Sequence, residues 1–134
     1  MSAATVLLVA LGAAVGAPVR FAVERRLASA YPWGTFALNL VGSAILGALL
    51  GLLHAEGQAT SWVLTLVGVG FCGSLTTFGG YAAQVLDFVV APRSTRPAVR
   101  LGHALEYAAA SVLACVAVAL VAYLGAVALS GGAG

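Results

Sequence analysis

Four apolar runs, each long enough to cross a bilayer, restrict this chain to the folds that lipid permits. They lie at about residues 3–22, 33–53, 61–90 and 101–129. A helical span needs about 20 mainly apolar residues. Only 7% of the side chains are charged, whereas soluble domains carry about a quarter. So few charges cannot coat a folded surface in water, and the surrounding solvent has to be lipid. The expected fold is an all-α membrane protein, with residues 1–134 forming a single four-helix transmembrane domain.

The remaining composition carries less. The net charge of +2 comes from six arginines against four acids, and the arginines cluster in two loops, which reads as a topology signal. Cys72 and Cys115 fall inside apolar runs, where cysteine acts as a small packing residue and says nothing about redox compartment. The first run has a small-residue stretch at Gly12 to Ala17, but no basic residue precedes it. A secretory signal needs one there, so this run is expected to stay as a span. Tyr31-Pro32-Trp33-Gly34 opens the second span, with interfacial aromatics and a proline suited to a helix start. Gly12/Gly16 and Gly47/Gly51 are small-xxx-small pairs that allow helices to approach closely.

The third run differs from the others. As one continuous helix, residues 61–90 would reach about 45 Å, well beyond the roughly 30 Å of hydrocarbon. Its centre, Gly68 to Tyr81, holds five glycines together with Ser74, Thr76 and Thr77. Unwound backbone survives at membrane depth only where protein or a polar cavity satisfies it, and such broken helices point to ion sites. The third helix is therefore expected to be broken near its centre.

No His/Cys/Asp/Glu group has metal-ligand spacing, and no serine or cysteine has an evident basic partner. Glu24, His54, Glu56, Asp87, His103 and Glu106 all lie near span ends. Coupled transporters usually place an ionisable group at depth, so passive conduction is favoured over coupled transport, and an enzyme is not expected. The groups left at depth are neutral. Asn39 lies one turn after Thr35, and Tyr107, Ser111 and Cys115 share one face of the fourth helix. On spacing alone, Asn39 and Ser111 serve either interhelical hydrogen bonding or a polar path. Phe78 and Tyr81 are by default core aromatics.

Gly34-Thr35-Phe36-Ala37-Leu38-Asn39-Leu40-Val41-Gly42-Ser43, followed by Gly70-Phe71-Cys72-Gly73-Ser74-Leu75-Thr76-Thr77-Phe78, resembles the fluoride channels of the FluC (CrcB) family. The Gly-Ala-Pro-Val-Arg-Phe stretch ending at Phe21 is similar to that family's first-helix pattern, so the resemblance covers essentially the whole chain. It implies an antiparallel dimer with two fluoride pathways that lower cytoplasmic fluoride. It also implies a structural, untransported sodium ion at the dimer centre, held by the backbone carbonyls of Gly73 and Thr76. By the same matching the ion pathway comprises Asn39, Phe78, Tyr81, Tyr107 and Ser111, with Thr35 and Thr77. Electropositive ring edges can face an anion without trapping it, and Asn39, Tyr107 and Ser111 offer donors in series. The chain departs from the family pattern at Ser74, at Gly79-Gly80-Tyr81, at Gln84 where a glutamate is common, and at Cys115.

Arg20, Arg25 and Arg26 sit at one loop and Arg93, Arg96 and Arg100 at another, while the middle loop and the terminal segments have no Arg or Lys. With four spans, both arginine-bearing loops share a side. The expectation is a multi-pass plasma-membrane protein with loops 23–32 and 91–100 in the cytoplasm. So strong a bias fixes one orientation, and an oppositely oriented paralogue is favoured over a second copy as the dimer partner. Two alternatives are a small four-span multidrug exporter, which would want an acid deep in the first helix, and a non-conducting accessory subunit of a heteromeric channel.

Overall fold

The computed structural model describes residues 2–28, 31–57, 61–90 and 96–131, and these are helical almost throughout. Helix α1 spans Ala3–Arg26 and α2 Trp33–Ala55. The third span opens as a π-helical segment, Leu64–Cys72, and passes into a single α-turn, α3, at Gly73–Leu75. It then breaks and restarts as α4, Phe78–Val90; α5, Pro97–Gly131, completes the bundle. All four spans are long and apolar enough to cross a membrane.

Local chemistry accounts for the helix ends. The Ser2 hydroxyl accepts the Thr5 amide hydrogen at 3.2 Å, a side-chain N-cap. Arg25 and Arg26 fall in the last turn of α1, where positive charge complements the helix dipole. The described helix therefore runs four residues past the end of its apolar run, and α5 likewise starts at Pro97, four residues before its run. At 35 residues α5 is about 52 Å long, so it must tilt or project beyond the hydrocarbon. Arg93 lies outside the described residues.

Packing is decided by small residues. α1 lies against the π segment at Gly12 and Gly70. A Cβ on Gly70 would sit 2.8 Å from the Val9 carbonyl oxygen, and one on Gly12 would sit 2.7 Å from the Phe71 nitrogen. α2 runs along α5, where Gly47 meets the Ala119 backbone and a Cβ on Gly51 would come 2.8 Å from the Ala126 methyl. Both glycine pairs thus mark helix crossings, as close packing in lipid requires. The buried core is small and includes Leu38, Leu75, Phe88, Ala104 and Tyr107. Large side chains such as Leu7, Phe21, Val121 and Leu129 point outward, as they do on a surface that meets acyl chains.

A candidate ion pathway at the broken span

The break falls at Thr76 and Thr77. Thr76 adopts φ −80°, ψ 156°, an extended conformation, and the helix resumes at Phe78. In an unbroken helix the Thr77 amide would bond to the Gly73 carbonyl and the Gly80 amide to the Thr76 carbonyl. Both amides are engaged elsewhere. Thr77 N–H donates to Asn39 Oδ1 at 2.9 Å, and Gly80 N–H donates to Thr77 Oγ1 at 3.0 Å. Thr77 is thus the side-chain N-cap of α4, and the carbonyls of Gly73 and Thr76 are released from their helical partners.

Neighbouring carbonyls are treated differently. Phe71 accepts from the Ser74 hydroxyl and Cys72 from the Thr76 hydroxyl, each at 2.9 Å. Ser74 accepts from Arg20 Nη1 at 3.1 Å. Gly73 is exposed, and a Cβ there would meet nothing within 4 Å. Two neutral carbonyl oxygens without helical partners, one on open backbone, fit a hard monovalent cation, the kind of ion that unwound membrane helices ligate.

Beside the break is a groove of about 350 Å³. Asn39, Thr76, Thr77, Phe78 and Tyr81 line one side, and Ser111 and Cys115 on α5 line the other. Because Thr77 N–H can only donate, it fixes the Asn39 amide with Oδ1 toward Thr77, which leaves the NH₂ for the groove. Ser111 Oγ is buried and has no partner among the described residues. The groove therefore holds uncommitted polar groups able to donate, the Asn39 NH₂ and Ser111 Oγ among them, and none of its lining residues is a carboxylate, histidine or arginine. Phe78 is 81% exposed, with its ring 5.8 Å from that of Tyr81. The Tyr81 hydroxyl donates to the Ala108 carbonyl at 3.2 Å.

Two of the expected pathway residues, Tyr107 and Thr35, lie off the groove, both almost fully buried. The Tyr107 hydroxyl donates to Gln84 Oε1 at 2.8 Å. Gln84 Nε2 donates to Thr35 Oγ1 at 2.7 Å, and Thr35 Oγ1 donates to Glu24 Oε1 at 3.3 Å. This chain crosses all four spans and reaches a second cavity of about 370 Å³, whose walls include Glu24, Thr35, Gln84 and Asp87. The Tyr81 and Tyr107 rings lie 5.9 Å apart. The family resemblance implies Asn39, Tyr107 and Ser111 as donors in series; in the structure Asn39 and Ser111 line the groove and Tyr107 does not.

Three residues of the site are missed by sequence reasoning. Arg20 and Glu24 read as flanking charges, yet both lie within α1 and turn inward, one to Ser74 and the other to Thr35. Their four-residue spacing puts them on one face, a signal that was available. Gln84 reads only as a departure from a pattern, and no spacing rule foretells its position between Tyr107 and Thr35.

The geometry can be set beside known proteins. The chain matches the family profile of the CrcB-like protein, Camphor Resistance (CrcB), over residues 7–126. It belongs to that family. Among its relatives, the fluoride-specific ion channel FluC 1 of Nocardia farcinica is 44% identical over 86 residues, covering 61% of this chain and 57% of that protein. The fluoride-specific ion channel FluC of Bordetella avium is 36% identical over 107 residues, 79% of each chain. The protein of the same name from Novosphingobium aromaticivorans is 42% identical over 113 residues, 79% of this chain and 82% of that one. These relatives bear the name of an ion channel, in line with the expectation of conduction rather than catalysis. With its four spans, this CrcB family member is a multi-pass membrane protein.

Proposed function

We propose that this CrcB family member is a subunit of a fluoride-specific channel that lets fluoride leave the cytoplasm passively. The observation that carries the reading is the groove with its unspent donors, the Asn39 NH₂ and Ser111 Oγ among them, and no fixed charge. Fluoride is small and strongly hydrated, so it sheds water only where close donors replace it, and conduction demands that each site stay weak enough to release the ion. A neutral path meets both demands. The edges of Phe78 and Tyr81 extend it with positive quadrupole and no cation.

The released carbonyls of Gly73 and Thr76 are the groups that would hold a structural sodium ion. The ion would supply a fixed positive charge beside the groove and tie together the two ends of the broken span. Two carbonyls are too few to replace a cation's hydration shell, so the site calls for a second subunit presenting the same pair. The exposed Phe78 and the open face of Gly73 are the surface that an antiparallel partner would cover. The arginine bias favours a paralogue of opposite orientation over a second copy.

The test is fluoride efflux from liposomes containing this chain alone, and then together with a paralogue of opposite arginine bias. Efflux only in the mixed vesicles supports the heterodimer, and efflux from the chain alone supports a homodimer. No efflux in either case would count against the channel reading. One observation favours an accessory-subunit reading as well: the Tyr107 hydroxyl is committed to Gln84. If mixed vesicles conduct and Asn39→Asp in this chain leaves their rate unchanged, that second reading is the correct one.

A further inference from the structure

The hydrogen bonds between Tyr107 and Glu24 have a single sense, and Glu24 sets it. An ionised carboxylate only accepts, so Thr35 must donate its one hydroxyl hydrogen to Glu24 across 3.3 Å. What Thr35 then offers Gln84 is a lone pair. The Gln84 amide accordingly turns its NH₂ to Thr35, at 2.7 Å, and its oxygen to Tyr107, at 2.8 Å. Tyr107 has one hydrogen, and Gln84 takes it. Every hydrogen in the chain therefore points toward Glu24 and away from the groove.

The consequence falls on Ser111. It lies one turn along α5 from Tyr107, on the same face, and its buried oxygen has no partner among the described residues. Tyr107 carries the hydroxyl one turn before it on that face, and the hydrogen of that hydroxyl is spent on Gln84. We infer that Glu24 is a positioning residue for the ion path: by fixing the sense of this chain it withholds the Tyr107 hydrogen from Ser111, and so weakens Ser111 as a donor to an anion in the groove. The link to an anion rests on the channel reading above.

Without Glu24 the opposite sense becomes available. Thr35 then donates to Gln84 Oε1, the Gln84 NH₂ to the Tyr107 oxygen, Tyr107 to Ser111, and Ser111 to the groove. A donor that itself accepts a hydrogen bond is polarised and donates more strongly. Gln84 is essential to this control, because an amide has one accepting and one donating end. A glutamate at the same place would accept from both neighbours and hold Tyr107 as its donor whatever stood at Glu24.

The test uses the full-length protein, with the tyrosine Fermi-doublet intensity ratio in the Raman spectrum reporting whether the Tyr107 hydroxyl donates or accepts. The contribution of Tyr107 is isolated by subtracting the spectrum of the matching Tyr107→Phe form. Glu24→Ala is expected to move the ratio from a donating phenol toward an accepting one. Placed in a Gln84→Glu background, the same substitution is expected to leave the ratio unchanged. An unmoved ratio in Glu24→Ala, or an equal shift in both backgrounds, overturns the assignment, since a merely structural role would not depend on Gln84. In liposomes, half-saturating fluoride should fall several-fold in Glu24→Ala and return to the starting value in Glu24→Ala/Tyr107→Phe. A Raman shift with no fluoride flux in any vesicle refutes the channel reading and leaves the control of Tyr107 standing. Flux without the shift refutes the control.

Discussion

Asn39 joins the break to the groove, and its two amide ends can be perturbed separately. Asn39→Ala removes the acceptor for Thr77 N–H, which sits at 2.9 Å in a partly buried site. A donor stranded in this way costs about 1–3 kcal/mol, unless the amide returns to the Gly73 carbonyl and closes the helix. Either outcome damages the break, so Asn39→Ala should lower the thermal midpoint and abolish fluoride efflux. Asn39→Asp behaves differently. The carboxylate still accepts from Thr77, and a charge-assisted bond contributes about 1.5–3 kcal/mol, so the fold should be held as firmly as before. The NH₂ facing the groove, however, is replaced by negative charge. At a separation of about 5 Å and an effective dielectric of about 20, an anion beside Asp is opposed by ~3 kcal/mol. That corresponds to roughly a hundredfold loss of flux. The assay is fluoride-electrode efflux from liposomes, paired with a melting curve in detergent for each variant. Asn39→Asp conducting near the unsubstituted rate, or Asn39→Ala melting no earlier, would refute the double role.

Gly70→Val should cost about 1–3 kcal/mol through overpacking, because a Cβ there falls 2.8 Å from the Val9 carbonyl oxygen. Gly73→Ala meets nothing within 4 Å and should leave the subunit's helical circular dichroism intact; size-exclusion profiles compare the two. Arg20→Gln should destabilise the protein by about 1.5–3 kcal/mol, the worth of a hydrogen bond from a charged group. Its effect should appear as a lowered melting temperature. Cys72 and Cys115 both line the groove, but Cys115 is half-buried whereas Cys72 is buried. A small methanethiosulfonate reagent should therefore slow efflux in the unsubstituted chain and spare Cys115→Ser, which efflux before and after labelling will show.

How much of this was legible in the sequence depends on what each feature rests on. The spans were, because lipid leaves apolar length as the dominant constraint and the chain meets it four times. The unusual third span was legible too, from glycines and hydroxyls at a depth where neither belongs without a reason. Its π-helical first half was not, since Leu64–Cys72 carries no pattern that separates a five-residue from a four-residue hydrogen-bond step. Among the site residues, Asn39 and Ser111 stand out as polar groups in apolar runs. The direction in which a side chain turns is another matter. Tyr107 and Ser111 share a helix face, yet one serves the groove and the other a network behind it, because Gln84 of α4 comes within 2.8 Å of the phenol. Such a contact between helices has no trace in the spacing along either one.

The inward turn of Arg20 bears on the partner argument as well. Counted from sequence, six arginines set the orientation. Arg20 is six residues inside the end of α1, and its guanidinium binds the Ser74 carbonyl, so its position is required by the broken span whichever way the chain inserts. It belongs to the structure and drops out of the topology count. Arg25, Arg26, Arg93, Arg96 and Arg100 remain, still on one side, against no Arg or Lys in the middle loop. The bias therefore survives the removal of the one arginine that has another explanation. Meanwhile Phe78 and Gly73 lie on an open face that an antiparallel neighbour would bury. A chain committed to one orientation cannot supply that neighbour from its own copies, so a C-terminal tag found on one side of the membrane only should accompany efflux that appears only with the paralogue. A tag found equally on both sides would remove the need for a second gene product and leave the homodimer as the functional unit.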